Sequence, residues 1–297
     1  MNEEPGSSPT RTGVARRGDV ELWFDVHGSE GPPVLLLAGA ACQAIQWEYE
    51  FFSAFLEIGH RVIRMDWRDM GLSTWRSFRD HPYTVDDLAN DATVVLDDLG
   101  VEEAHVLGFS MGGIVAQAIA ARAPERVSSL SLLSPGFYPR LIFEDSPEAR
   151  RLGDFLGGPK PDPESPEGWL VDQWRTLAGP GFEFDPAEWQ SRIAHWVRRG
   201  QNLRCPHLKI PGHEARDADP AERARGRSTL LERVTVPTLV LHGENDGMFP
   251  LANGTAAADA IPGAELIVLN GRGHELFCDP TGEITHHLVD HLQTSHR

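Results

Sequence analysis

The chain has 297 residues, of which 44 are acidic and 27 are basic, and its net charge at pH 7 is −17. This acidity argues against a nucleic-acid binder, because neutralising phosphates requires a basic face, and it disfavours docking on an anionic membrane. A hydrophobic content of 40% and a charged content of 24% are ordinary for a folded domain, so disorder throughout the chain is excluded.

The first segment, residues 1–17, is rich in proline, serine, glycine and charge, which predicts a flexible N-terminal tail. It contains no apolar run, so no secretory signal is expected, and no stretch of about 18 apolar residues predicts a membrane span. Three cysteines, Cys42, Cys205 and Cys278, are widely spaced. An odd number at this spacing predicts neither a disulfide framework nor a zinc site and favours reduced thiols in a cytoplasmic protein.

Beyond the tail, short apolar runs alternate with longer segments of helical character. The strand candidates are 19–28, 34–37, 61–66, 104–109 and 127–133, and the helix candidates are 43–58, 84–100 and 111–123. Buried strands that alternate with helices are typical of a parallel sheet covered on both faces. The sequence therefore predicts an α/β fold with a mostly parallel, doubly wound sheet.

This alternation stops at Pro135 and resumes with strand candidates at 236–243 and 264–269, followed by a closing helix near 282–293. The intervening segment has helical fragments but no buried-strand run. An insertion between two parallel strands usually lies over their carboxyl ends, where open α/β sheets bind ligands. The predicted domains are an α/β core and an inserted helical lid. The core comprises 18–135 and 230–297, and the lid comprises 136–229.

A Gly-x-Ser-x-Gly motif at 108–112 lies between the strand candidate 104–109 and the helix candidate 111–123. In this context the motif predicts a serine nucleophile, Ser110, on a tight strand-to-helix turn whose glycines let neighbouring backbone approach closely. The helix N-terminus favours an oxyanion there. The alternative is a serine that only caps the helix.

A serine nucleophile needs a base, and the base needs an orienting carboxylate. With a nucleophile on such a turn, the expected chain order is serine, acid, histidine. Asp246 follows the strand candidate 236–243, and His274 follows the candidate 264–269. Both are therefore expected at the sheet edge that carries the serine. Glu244 is a rival acid.

The loop after the strand candidate 34–37 is expected to supply a second oxyanion donor. Gly39 permits a strained turn in this loop. We therefore predict an oxyanion hole made by the backbone N–H groups of Ala40 and Met111; a plain glycine turn is the alternative. Cys42 is expected to be a small buried hydrophobe rather than a reactive thiol.

The residues Gly108–Gly112, Asp246 and His274, together with the stretch Asp66-Trp67-Arg68-Asp69-Met70-Gly71-Leu72-Ser73, resemble the α/β-hydrolase fold over nearly the whole chain after residue 18. In that family this stretch shapes the loop beside the active site, and we expect Asp66 and Arg68 to brace loops. Within the family, residues 18–28, 65–74, 81–113 and 231–250 look like the aclacinomycin methylesterase group of polyketide-tailoring enzymes.

This resemblance implies hydrolysis of a methyl ester on an anthracycline-type ring system, with a small aromatic molecule as the partner. We expect no cofactor and no metal, and the sequence leaves the oligomeric state open. One departure from the family is visible, because Ala38-Gly39-Ala40 replaces the commoner His-Gly or Met-Gly-Gly opening of the oxyanion loop.

The predicted lid contains many aromatic side chains. They are Phe137, Tyr138, Phe143, Phe155, Trp169, Trp174, Phe182, Phe184, Trp189 and Trp196. Aromatic faces suit a large flat apolar ligand, although most of these rings are expected to hold the lid together. The candidate substrate contacts are Phe137, Trp169 and Trp174, with Gly39 on the core side.

Several other functions fit the same residues. A cofactor-free haloperoxidase or perhydrolase uses the same triad but usually lacks so long a lid, and a lactonase or carbon–carbon bond hydrolase also retains it. Epoxide hydrolases and dehalogenases of this fold are disfavoured, because their nucleophile is aspartate where this chain has Ser110. A non-catalytic ligand receptor or a cyclase is a further alternative, against which the intact set of Ser110, Asp246 and His274 argues.

Overall fold

The computed structural model describes residues 8–138, 141–203, 205–207 and 228–295. The strands are β1 (Arg11–Arg17), β2 (Val20–His27), β3 (Pro33–Leu37), β4 (Arg61–Met65), β5 (Ala104–Phe109), β6 (Val127–Leu133), β7 (Thr238–Gly243) and β8 (Glu265–Leu269). They form one sheet in the order β1-β2-β4-β3-β5-β6-β7-β8. Strand β2 runs antiparallel to β1 and β4, and the pairs from β4 through β8 are parallel. The predicted mostly parallel α/β sheet is confirmed.

The first strand corrects the prediction of a flexible tail at residues 1–17. Residues 11–17 pair with β2 along their whole length, from Arg11 opposite Val26 to Arg17 opposite Val20. Of their side chains only that of Ala15 is buried. This edge strand is held by backbone hydrogen bonds to β2 and not by buried side chains. Its polar composition therefore gave no sign of a strand. Residues 1–7 of the predicted tail lie outside the described residues.

The helices begin and end close to the predicted segments. They are α1 (Tyr49–Glu57), α2 (Val85–Asp98), α3 (Met111–Arg122), α4 (Pro147–Gly157), α5 (Glu167–Leu177), α6 (Pro186–Gly200), α7 (Ser228–Leu231), α8 (Ala252–Ala260) and α9 (Glu283–Thr294). The start of α2 shows why its boundary was predictable. Thr84 accepts the N–H of Asp87 at 3.2 Å, and the Asp87 carboxylate accepts the N–H of Thr84 at 3.0 Å, which is a reciprocal capping box.

Two apolar clusters cover the two faces of the sheet. Alternate residues of β3 show this directly, since Leu35 and Leu37 join the cluster with α2, α3 and α8, whereas Val34 and Leu36 join the cluster with α1 and α9. Helix α3 is buried on all sides from Met111 to Ala121. Its many small residues let it pack closely under the strands, so the turn that precedes it is held rigidly.

The chain between β6 and β7 contains the helices α4, α5 and α6. Their buried tryptophans, Trp174, Trp189 and Trp196, pack around Phe277 of the core, and the Trp174 ring centroid lies 4.8 Å from that of Phe277. Residues 139–140, 204 and 208–227 of the predicted lid lie outside the described residues. The described part of the insertion thus covers the face that carries α1 and α9.

Candidate active site

Ser110 lies on the turn between β5 and α3, with φ 56° and ψ −118°. This backbone conformation costs an L-residue roughly 1–3 kcal/mol. A Cβ atom at Gly108 would collide with the carbonyl group of Gly112, and one at Gly112 would collide with that of Leu37. The two glycines are therefore required by close backbone packing. The Ser110 side chain makes no capping hydrogen bond to α3, which argues against the capping alternative.

The structure brings Ser110, His274 and Asp246 together in one buried line. His274 Nε2 lies 2.9 Å from Ser110 Oγ, and His274 Nδ1 lies 2.6 Å from Asp246 Oδ2. The exposed fractions of the three residues are 5%, 3% and 3%, in that order. This is the spacing at which a serine, a base and an orienting carboxylate form a catalytic triad.

The Asp246 carboxylate is held by backbone as well as by the histidine. Its Oδ1 accepts the N–H groups of Met248 and Phe249, each at 2.8 Å. Burial raises the pKa of Asp246, but attraction to His274, the hydrogen bond from that ring and the Phe249 N–H outweigh it, so the pKa lies below its usual value. The charged carboxylate accepts Nδ1–H, which leaves the lone pair of Nε2 facing Ser110.

Glu244, the rival acid, lies elsewhere. Its exposed side chain accepts the N–H of Gly271 at 3.3 Å, on the outer side of the loop that carries the histidine. Asp246 therefore occupies the orienting position.

The histidine loop is fastened to the end of α5. The backbone N–H of His274 donates to the carbonyl of Leu177 at 2.9 Å. A Cβ atom at Gly273 would collide with the same carbonyl, which explains the glycine of the Gly-Arg-Gly-His motif. Glu275 accepts the N–H of Gly179 at 3.1 Å, so the chain after α5 is also tied to the residue that follows His274.

Residues 39–43, here termed the oxyanion loop, form a turn beside Ser110. The Cys42 N–H donates to the Gly39 carbonyl at 3.2 Å, and Ala41 has a positive φ of 58°. Ala40 lines the cavity over the serine. Met111 is the first residue of α3, where an N–H group has no intrahelical acceptor. Both predicted donors thus belong to the backbone that borders the nucleophile.

A cavity of about 160 Å³ lies over Ser110 and His274, between the core and the inserted helices. The wall from the core, termed the core wall, comprises Gly39, Ala40, Ala41, Cys42, Gln46, Phe109, Ser110, Met248 and His274. The wall from the insertion, termed the lid wall, comprises Leu156, Trp169, Leu170, Gln173, Trp174, Leu177, Trp196, Gln201, Asn202, Leu203 and Cys205. The lining is mostly apolar, so it suits an apolar ligand with a few polar groups.

Of the predicted substrate contacts, Gly39, Trp169 and Trp174 line this cavity, and Phe137 does not. The prediction for Phe137 is corrected because the chain after β6 first turns toward α8. There Asn253 Oδ1 accepts the N–H groups of Phe137 and Ile142, at 3.2 and 2.9 Å. The Phe137 ring packs against the apolar cluster of α2 and α3.

The two tryptophans of α5 differ in their surroundings. Trp169 is half-buried, donates its Nε1–H to the Pro159 carbonyl at 3.0 Å and lies 5.0 Å from the Phe155 ring. Trp174 is buried and stacks on Trp189 at 5.5 Å. Both rings line the cavity, and Trp174 in addition joins α5 to α6 through its contact with Trp189.

Sequence reasoning missed the polar members of the lid wall, among them Gln173 and Gln201. The available signal for Gln173 was its spacing, since it follows Trp169 by four residues and so shares the same face of α5. Gln201 lies just beyond α6, and no local pattern marks it. Cys42 is buried, as expected of a small hydrophobe, and burial raises the pKa of its thiol.

Asp66 and Arg68 brace loops around the site. Asp66 accepts the N–H of Ala44 at 2.8 Å and that of Leu72 at 2.9 Å, and Arg68 donates to Asp91 at 2.6 Å. Neither residue lines the cavity.

Two searches for other kinds of site cover the described residues only. No described helix is long and apolar enough to span a bilayer. Within the same ranges, no three histidine, cysteine or carboxylate side chains are grouped so that they could hold a metal ion.

Residues 32–281 match the family model for the alpha/beta hydrolase fold, and the chain belongs to this family. It is 32% identical to the rhodomycin D methylesterases of Streptomyces sp. strain C5 and Streptomyces peucetius, over 90% of this chain and 93% of each relative. Among solved structures, Est816, an N-acyl homoserine lactone degrading enzyme, is 26% identical with a TM-score of 0.67, covering 93% of this chain and 98% of that one. The predicted family is confirmed, and the methylesterase relatives support a hydrolase that acts on esters.

Proposed function

We propose that this protein is a serine esterase that hydrolyses a methyl ester through an acyl-enzyme intermediate. The observation that carries the proposal is the buried line of hydrogen bonds from Asp246 through His274 to Ser110, which opens onto the cavity. Relatives with methylesterase activity over nearly the same length support the ester as substrate.

In the first half-reaction, Ser110 Oγ attacks the ester carbonyl carbon while His274 Nε2 takes the hydroxyl proton. Asp246 stabilises the imidazolium that forms. The carbonyl oxygen becomes an oxyanion and accepts hydrogen bonds from the N–H groups of Ala40 and Met111. When the carbonyl reforms, the bond to the methoxy group breaks, and His274 protonates the leaving oxygen. Methanol departs and the acyl group stays on Ser110.

In the second half-reaction, a water molecule takes the place of methanol. His274 removes a proton from this water, and the resulting hydroxide attacks the acyl carbon. Collapse of the second tetrahedral intermediate breaks the bond to Ser110 Oγ, which recovers its proton from His274. The product is a carboxylic acid, and the enzyme returns to its starting state.

For the acid part of the ester we propose an aromatic polyketide of the anthracycline type. The lid wall supports a planar apolar substrate, because Trp169, Trp174 and Trp196 all line the cavity. Gln173 adds an amide that can hydrogen-bond a ring oxygen. Two relatives act on rhodomycin D, which supports a compound of this kind.

The test measures methanol release from a panel of polycyclic methyl esters, with a fluorophosphonate probe as a label of the nucleophile. We expect Ser110→Ala to abolish labelling and to reduce methanol release by at least about 10⁴-fold. Ser53→Ala, at a half-buried position of α1 that does not line the cavity, is the matched control. Retention of turnover by Ser110→Ala would exclude the serine mechanism.

Lactone hydrolysis is a second candidate, favoured by the 26% identity to Est816. The same triad would open a lactone, with the alcohol kept on the product. A panel that pairs each methyl ester with a lactone of similar size separates the two functions. Faster opening of the lactone would replace the methylesterase proposal.

A further inference from the structure

The oxyanion loop is held from outside by side chains that follow α6. Gln201 Nε2 donates to the Ala41 carbonyl at 2.7 Å, and the Ala41 N–H donates to His207 Nδ1 at 3.3 Å. The carbonyl and the N–H of one residue belong to the two peptide planes on either side of it. Both planes that flank Ala41 are therefore oriented by residues about 160 positions later in the chain.

Ala41 needs such support because its conformation is unfavourable. It is the third residue of the turn closed by the hydrogen bond from Cys42 to Gly39, and its φ is 58°. A positive φ at this position favours glycine, and it costs an alanine about 1–2 kcal/mol. Without external hydrogen bonds the turn would relax, and the neighbouring N–H of Ala40 would change direction.

His207 has the protonation state that this role requires. Its ring is fully buried, and Nε2 donates to the Arg68 carbonyl at 2.8 Å, so the proton of the neutral ring is on Nε2. Burial lowers the pKa of His207 to about 4. The remaining nitrogen, Nδ1, therefore carries a lone pair that accepts the Ala41 N–H.

Gln201 is held in turn by a second group of side chains. Gln43 Nε2 donates to Gln201 Oε1 at 3.2 Å, and Gln43 Oε1 accepts from Arg199 at 3.0 Å. Arg199 also pairs with the buried Asp66 at 2.7 Å, and Asp66 accepts the N–H of Ala44. The end of α6 and the second half of the oxyanion loop, together with Ala44 just after it, thus form one connected polar network.

We propose that Gln201 and His207 are positioning residues for ester hydrolysis, which act through Ala41 to direct the Ala40 N–H at the oxyanion. This inference rests on the serine esterase function proposed above. It makes the segment after α6 part of the catalytic arrangement, because a displaced α6 would withdraw Gln201 from the loop. His207 does not line the cavity, so its effect cannot come from contact with the substrate.

The experiment compares one ester with its thiono analogue, in which sulfur replaces the carbonyl oxygen. Sulfur is a larger and weaker hydrogen-bond acceptor, so an enzyme with a well-placed oxyanion hole prefers the oxygen ester. The ratio of kcat/KM values for the two substrates measures that placement. The ratio does not depend on the folded fraction, because both substrates meet the same active molecules. It therefore separates a positioning role from lost stability.

We expect Gln201→Leu and His207→Phe each to lower kcat by about 10- to 100-fold, with a smaller change in KM, and to reduce the oxygen-to-sulfur ratio. Gln190→Leu is the matched control, since it makes the same chemical change at an exposed position of α6. This control should keep the wild-type ratio.

The outcomes are distinguishable. If Ser110→Ala retains turnover, the proposed function fails and the positioning role fails with it. Two results would overturn the positioning role while the esterase function stands, provided that turnover depends on Ser110. One is a wild-type enzyme with no preference for the oxygen ester, and the other is that both variants keep the wild-type preference.

Discussion

The two walls of the cavity are built in different ways, although they meet at Ser110. Ser110 and His274 of the core wall, and Asp246 behind them, lie on turns that follow β5, β8 and β7, in that order. Backbone contacts hold each of these turns, such as the two N–H groups bound to Asp246 Oδ1. The lid wall up to Trp196 is instead a set of helix faces held by ring contacts, such as Trp174 on Trp189, and it is completed by residues that follow α6.

This difference separates chemistry from selection. Side chains on turns of a buried sheet cannot move without breaking the ladder, so they present the same geometry to every ester. Helix faces joined mainly by apolar contacts can vary without changing the reaction. Substitutions in the core wall and its support, which include Gln201 after α6, should therefore reduce turnover of all esters, whereas the effect of those on the helices of the lid wall should depend on the substrate.

The largest effect is expected behind the core wall, for Asp246→Asn. The amide cannot stabilise the imidazolium and favours the wrong tautomer of His274, so kcat should fall by about 10⁴-fold on long and short esters alike. Steady-state kinetics with a polycyclic methyl ester and a p-nitrophenyl ester measure this. Glu244→Gln is the matched control and should change kcat little. A large loss in the control would mean that Glu244 is the orienting acid.

Trp174→Ala tests whether part of the lid wall has a structural role. Removing a buried ring that contacts Trp189 and Phe277 should lower the free energy of unfolding by about 3–5 kcal/mol. Thermal unfolding measures this loss, and Trp174→Phe should retain most of the stability. Unchanged stability, with a loss on polycyclic esters alone, would assign Trp174 to substrate binding instead.

His207 should make stability depend on pH. Its folded pKa of about 4 lies below the unfolded value of 6.5, so the unfolded chain binds more protons between these limits. The free energy of unfolding should fall by up to about 1.4 kcal/mol per pH unit as the pH drops below about 6.5. Above that pH, His207 should add no pH dependence to the free energy of unfolding. Urea unfolding of the wild type and of His207→Phe compares the two slopes. Equal slopes would contradict a neutral buried His207.

The smallest effect is expected for Trp169→Ala, which tests selection by the lid wall. Loss of one stacking face should lower kcat/KM for a polycyclic methyl ester by about 3- to 10-fold and leave a short p-nitrophenyl ester nearly unaffected. Phe143→Ala is the control, because this ring is also in the insertion but is 76% exposed. Equal losses on both substrates would indicate a disturbed fold rather than selection.

The places of Ser110, Asp246 and His274 could be predicted from the sequence because the signals around them are local. A glycine on each side of Ser110, a strand before it and a helix after it are all read within about twenty residues. Asp246 and His274 were placed by the strands that precede them, since carboxyl ends of parallel strands meet at one edge. The capping box of Thr84 and Asp87 marked the start of α2 in the same local way.

Other features depended on contacts between distant parts of the chain. Strand β1 was missed because an edge strand needs few buried side chains. The backbone pairing of β1 with β2 does not depend on side-chain type, so composition does not predict it. Phe137 was assigned to the substrate on its aromatic character, yet Asn253 holds this part of the chain against α8. Aromatic type alone does not say which ring faces a cavity and which ring fills a core.

The sequence by itself predicted the parallel strands, the tight turn at Ser110 and the sheet edge that Ser110, Asp246 and His274 share, because backbone sterics and strand ends act over short distances. Only the tertiary structure decided that Trp174 is buried among other rings of the insertion while Trp169 is half-buried, since packing determines the surroundings of each ring. It alone joined Gln201 and His207 to Ala41, because a hydrogen bond between residues 160 positions apart depends on how α6 docks and leaves no local pattern.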